Sequence, residues 1–189
     1  IIYLEDQGLR HNTIVGYIEK IQSLVRRASQ YNYAVDVTYD EIDLKCEPTN
    51  AVFLSMNEIT RIYYYKFVGQ DKRKAKERIR DLFIVGCLTA LRYSDYSTLT
   101  KDNFQGDYLV KRTKKTNVDV KVPLHDYVKE IYAKYGGFIP RGLCIQYVNK
   151  YLKVIMKEIG LNDLVTYSYT KGGRLITVTR EKWELISSH

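Results

Sequence analysis

The sequence predicts a mainly helical chain with a small antiparallel β-sheet, an α+β class. Three observations carry that expectation. Apolar residues recur at helical spacing from Ile14 to Ala28 and again from Ile79 to Ala90. The period then changes to alternation over Tyr108-Leu109-Val110 and over Val118 to Val122. Helical spacing returns afterwards and is stopped by glycine, at Gly136-Gly137 and at Gly160.

Taken in order, Asn12 or Thr13 is the expected cap of a first helix. It carries Ile14, Tyr17, Ile18, Ile21, Leu24, Val25 and Ala28 on one stripe, with Lys20, Arg26 and Arg27 on the other face. Residues 34–52 are irregular, acidic and contain Pro48, so a domain boundary is expected there. It separates a helical piece, 1–47, from a second domain, 53–189. Ser55 followed by Glu58 is the capping-box pattern and predicts a helix to about Tyr65. Gly69 to Lys74 reads as a basic loop. Ile79, Leu82, Phe83, Gly86, Cys87 and Ala90 then fall on one helical face that ends near Leu91. Ser94 is the expected cap of a short helix toward Leu99. The two strands join through Thr113 to Asn117, and Asn117 tolerates the left-handed backbone of a tight turn. Helices are expected at about 126–135 and 144–159. Alternation over 165–180 around Lys171-Gly172-Gly173 predicts another hairpin.

The chain has 189 residues, 45% of them hydrophobic, with a net charge of +8. The charge is uneven. Residues 1–50 hold five Lys and Arg against eight Asp and Glu, whereas residues 51–189 hold twenty-five against fourteen. A polyanion would therefore be gripped mainly by the second part; a solvated basic surface is the alternative. No run of about 18 apolar residues occurs, so no membrane span is expected. No secretory signal pattern opens the chain, and Cys46, Cys87 and Cys144 match no disulfide or metal spacing. A reducing cytoplasm is the expected location. The opening Ile1-Ile2-Tyr3-Leu4, without methionine, predicts a piece of a longer protein. There is no phosphate loop, no Gly-x-Ser-x-Gly and no metal-spaced cluster, so no cofactor and no metal are expected.

The residues that bear chemistry lie in three places. Leu88-Thr89-Ala90-Leu91-Arg92-Tyr93-Ser94-Asp95 puts an arginine at the end of an apolar helix and a carboxyl three residues on. A guanidinium offers five donors in a rigid fork, which suits two oxygens of one phosphate. Asp95 can orient Arg92 or favour the dipole of the next helix; an ordinary Arg–Asp pair closing a helix junction is the alternative, and spacing alone favours it. The second place is the turn Thr113-Lys114-Lys115-Thr116-Asn117, followed by Val120-Lys121-Val122-Pro123-Leu124. A lysine on a strand turn can swing into a groove and donate a proton; a hairpin that only touches backbone phosphates is the alternative. The third is Trp183-Glu184-Leu185-Ile186-Ser187-Ser188-His189.

Together these phrases resemble the tyrosine recombinase (phage integrase) family, most closely the integrases of conjugative transposons and related mobile elements. Residues 89–95 are similar to the family's Thr-Gly-Leu-Arg-x-Ser-Glu/Asp phrase, with Ala90 in the glycine place, a substitution that suits a helix end. Residues 99–104 look like its continuation, 113–124 like its Lys-Thr-Gly turn and closing strand, and 183–189 like the lead-in to His-x-x-Arg. The resemblance implies that Arg92, Lys115 and His189 are catalytic and that Asp95 supports them. The lysine role can slip by one to Lys114. It implies a double-stranded DNA partner, a tetramer on DNA and a 3′-phosphotyrosyl intermediate without ATP. It places the second arginine and the tyrosine nucleophile after residue 189, so none of the eighteen tyrosines is nominated. Arg112, Lys114, Lys20, Arg26 and Arg27 are candidate DNA contacts, as is the run 72–74. A non-catalytic basic helical DNA-binding module is the alternative.

Overall fold

The structure is a computed structural model and describes residues 1–49, 51–69 and 72–188. It is mainly helical with small antiparallel sheets, as expected. Contacts divide it into two compact units: residues 1–51 with 164–180, and residues 52–163 with 181–189.

In the first unit α1 (Ile2–Asp6) precedes α2 (His11–Gln30), and a 3₁₀ segment spans Val37–Glu41. The α2 cap is Arg10 rather than Asn12 or Thr13. Asn12 is otherwise engaged: its amide donates to the Glu47 carbonyl at 2.9 Å and its oxygen accepts the Glu47 N–H at 2.8 Å. The expected apolar stripe is only partly buried. Of its members Ile14 is enclosed, but Tyr17, Ile21 and Leu24 are 43%, 52% and 69% exposed; Val15, outside that stripe, is enclosed as well. Gln22 is buried instead, its amide donating to the carbonyls of Tyr39 and Ile42 at 3.0 Å. The hairpin of β4 (Leu164–Lys171) and β5 (Arg174–Glu181) completes this unit. Gly172 and Gly173 turn it with positive φ. An isolated bridge joins Arg10 to Lys171, Glu47 accepts the Thr170 N–H at 3.0 Å, and the Arg10 guanidinium lies 4.2 Å from the Tyr169 ring centre. A linear cut at 47–53 puts this hairpin with the second domain; its contacts put it with residues 1–51.

The second unit opens on α3 (Met56–Tyr64), where the capping box of Ser55 and Glu58 is formed. Next comes α4 (Arg73–Thr89), which begins inside the segment read as a loop. Its apolar face meets α7 (Ile145–Ile159) and α6 (Asp126–Lys134) around Ile79, Leu82, Val85, Ile131, Leu152 and Ile155, all nearly without solvent exposure. Burial pushes the Cys87 thiol up to about 12, consistent with its place against this core. The three-stranded antiparallel sheet β1 (Phe104–Gln105), β2 (Tyr108–Arg112), β3 (Asp119–Pro123) pairs Leu109 with Val122 and Arg112 with Asp119. Leu109 fastens the sheet to the core, as the inward position of an alternating strand should. The glycine stops of α6 and α7 hold: Gly136, Gly137 and Gly160 all take positive φ. A short α8 (Lys182–Leu185) follows, and the Ser188 N–H donates to the Asn149 oxygen at 2.9 Å. No described helix is long and apolar enough to cross a membrane.

Candidate nucleic-acid and phosphate site

The site is built at the break between α4 and α5 (Tyr93–Tyr96). α4 ends on Ala90, whose φ of +53° is left-handed. That is the backbone a glycine C-cap supplies without strain, so alanine does not suit this helix end, contrary to the expectation from sequence. The chain recovers at once. Arg92 is extended, with φ −68° and ψ 153°, and itself caps α5, in place of Ser94. Its carbonyl accepts the N–H groups of Asp95 at 2.8 Å and Tyr96 at 3.0 Å. The Arg92 side chain is exposed and has no hydrogen-bond or ion-pair partner among the described residues. Its backbone is held while its guanidinium stays available.

Asp95 is fully buried. It makes no salt bridge to Arg92 among the described residues. Its Oδ1 instead accepts the backbone N–H of Lys114 at 2.9 Å, across nineteen residues. Its Oδ2 is buried with no hydrogen-bond partner among the described residues. The carboxyl therefore ties the helix break that carries Arg92 to the turn that carries the lysines.

That turn is internally braced. The Thr113 N–H donates to the Val118 carbonyl at 2.9 Å, and the Thr113 and Thr116 hydroxyls meet at 2.8 Å. Asn117 takes the expected left-handed backbone, φ +54°, and its Oδ1 accepts the Arg112 Nε–H at 2.7 Å. Arg112 thus shapes the turn with one of its donors. The side chains of Lys114 and Lys115 are exposed and have no partner among the described residues. Two flexible cations on a fixed turn, with a rigid guanidinium on the element bonded to it, can offer several donors to an anionic backbone.

The other sequence candidates lie elsewhere. Lys20, Arg26 and Arg27 are exposed on α2, in the first unit. Arg26 and Arg27 border a shallow depression of about 470 Å³ together with Ser23, Gln30 and Tyr31. His189 lies outside the described residues. The Asp95–Lys114 bond was not legible in the sequence, because no local pattern marks an acceptor for an N–H nineteen positions away.

No protein-family model matches this sequence, and no curated protein sequence matches it either. Among solved structures it is similar to a lambda integrase tetramer bound to a Holliday junction, with a TM-score of 0.57, 18% identity and 77% of this chain covered. The match takes in 45% of that chain, so this chain spans less than half its length. A second solved structure, the lambda integrase catalytic core, matches 71% of this chain and 80% of that one at 21% identity and a TM-score of 0.43, too low to compare architectures. At 18% identity the likeness is one of fold alone: over most of its length this chain shares the fold of lambda integrase.

Proposed function

We propose that this chain carries the first part of the active site of a site-specific DNA recombinase of the mobile-element integrase kind. Arg92 binds two oxygens of the scissile phosphate and stabilises the charge that develops on it. Lys115 donates the proton that the departing 5′ oxygen needs, with Lys114 and Arg112 gripping flanking phosphates. Lys20, Arg26 and Arg27 extend the phosphate contacts from the helical piece, 1–47. His189, a second arginine and a tyrosine nucleophile complete the chemistry on double-stranded DNA in a tetramer. The tyrosine oxygen attacks phosphorus, the 5′ oxygen leaves with the lysine proton, and a 3′-phosphotyrosyl bond keeps the energy of the broken phosphodiester.

The observation that supports this reading most is the bond from Asp95 to the Lys114 N–H. It couples the guanidinium's helix break to the lysine turn, as two groups acting on one phosphorus require. The test is Arg92→Ala in the complete gene product. Strand cleavage is expected to vanish while duplex affinity falls by less than about tenfold, because the other phosphate contacts remain. Cleavage near the wild-type rate overturns the assignment. A complete product that binds duplex but never forms a covalent protein–DNA adduct favours a binding module instead.

A further inference from the structure

An arginine clamps a phosphate well only if its backbone cannot wander, and α5 is four residues long. One turn of helix does not hold itself together in water, so tertiary contacts must fix it. Two are evident nearby: the Asp95–Lys114 bond, and the buried Tyr96 ring lying against Gly86 of α4, where a Cβ would come within 2.6 Å of the ring. The third comes from the segment before α7. The Tyr93 hydroxyl donates to the Leu143 carbonyl at 2.6 Å, and the Gly142 N–H donates to the Ser97 carbonyl at 3.1 Å. These two bonds seize α5 at its first residue and at its C-cap. The segment is tethered on its other side by the Arg78 guanidinium, which donates to the Arg141 carbonyl at 2.8 Å.

The approach is too close for any side chain at residue 142. A Cβ there would lie 2.4 Å from the Ser97 Cβ and 3.0 Å from the Tyr93 hydroxyl oxygen. Gly142 does not have a positive φ, so glycine is needed for space and not for backbone freedom. We infer that residues 141–143 form a strut that sets the position of Arg92, with Gly142 and Tyr93 as positioning residues for its phosphate contact. This deepens the reading of Arg92 as a phosphate ligand and rests on it. The strut touches no phosphate; it acts through α5.

The test uses the chain with a short duplex of arbitrary sequence, and backbone amide NMR. Gly142→Ala is expected to move the amide resonances of Arg92 to Ser97 while those of Leu152 and Ile155 stay in place. On a log–log salt plot it should lower the slope of duplex binding by about 0.9, the share of one phosphate, as Arg92→Ala does. The double variant should bind no more weakly than Arg92→Ala alone. Adding Ser97→Gly to Gly142→Ala removes the opposing Cβ and should restore both resonances and slope. Tyr93→Phe deletes one hydroxyl and serves the same comparison if Gly142→Ala does not fold. Unmoved α5 resonances, or losses that add to those of Arg92→Ala, overturn the strut. If Arg92→Ala leaves the slope unchanged, the phosphate reading fails, and the strut then stands or falls on the resonances and their rescue.

Discussion

Replacing Asp95 by alanine separates two quantities that usually move together. The variant removes the acceptor of the Lys114 N–H, which lies 2.9 Å from Oδ1. Leaving a buried donor unsatisfied costs about 1–3 kcal/mol; Lys114 sits on a partly exposed turn where water can substitute, so about 1–2 kcal/mol is expected. The same variant removes Oδ2, a buried oxygen with no partner among the described residues. Its desolvation is a cost the folded state carries, and deleting it recovers a comparable amount. Global stability by urea unfolding should therefore fall by no more than about 1 kcal/mol. The turn itself should open more often. Hydrogen exchange at the Lys114 amide is expected to speed up about five- to thirty-fold, at 1.4 kcal/mol per factor of ten. Asp95→Asn keeps an acceptor oxygen and should retain most of the protection. If the Lys114 amide exchanges at the wild-type rate in Asp95→Ala, the threonine bonds within the turn suffice, and the carboxyl is not what joins the two elements.

Further outcomes follow from single sites. Ala90→Gly relieves a left-handed alanine at φ +53° and should raise stability by about 0.5–1 kcal/mol in urea melts, after glycine's greater freedom in the unfolded chain is deducted; a loss of stability would refute the strain. Lys115→Ala in the complete gene product should lose cleavage of ordinary DNA and regain it on a substrate with a 5′-bridging sulfur, since a thiolate departs without a proton; rescue seen only with Lys114→Ala would move the role by one residue. Glu58 is half enclosed by its cap: burial by itself would raise its carboxyl, but hydrogen bonds from Lys182 and from the Ser55 N–H and hydroxyl outweigh burial and hold it below its ordinary 4.5. A depressed carboxyl stabilises the fold above the unfolded value and loses that contribution as pH falls through the folded one. Glu58→Gln should therefore be less stable than wild type at neutral pH and converge on it as pH falls below 4.5 and through the folded value, and a difference that stays constant throughout the acid range would refute the linkage.

The sequence alone determined most of the local architecture. Spacing of apolar residues located α4, α6 and α7; Ser55 and Glu58 marked the start of α3; Gly136, Gly137 and Gly160 marked stops; alternation and Asn117 marked the β2–β3 hairpin. These succeed because the information is carried within a few residues, in φ preferences and in the period of the buried face. The phrase around Arg92 and the turn around Lys115 were likewise legible, since each is a local element boundary. Where a competing partner exists, local reading fails. Asn12 looked like a cap and is occupied by Glu47; Tyr17, Ile21 and Leu24 looked like core and are exposed, while Gln22 is enclosed because two carbonyls satisfy it.

Only the tertiary structure decided which distant pieces meet. It put the hairpin of residues 164–180 with residues 1–51, a grouping that no composition change announces. It gave Asp95 to Lys114 rather than to Arg92, and it brought Gly142 and Leu143 onto α5. The contacts of Asp95 and α5 span nineteen to fifty positions and those of the hairpin more than a hundred, and they are selected by packing and by the need to satisfy buried donors and acceptors across each unit. A short helix such as α5 has no conformation of its own to read, so the placement of Arg92 is a property of its neighbours.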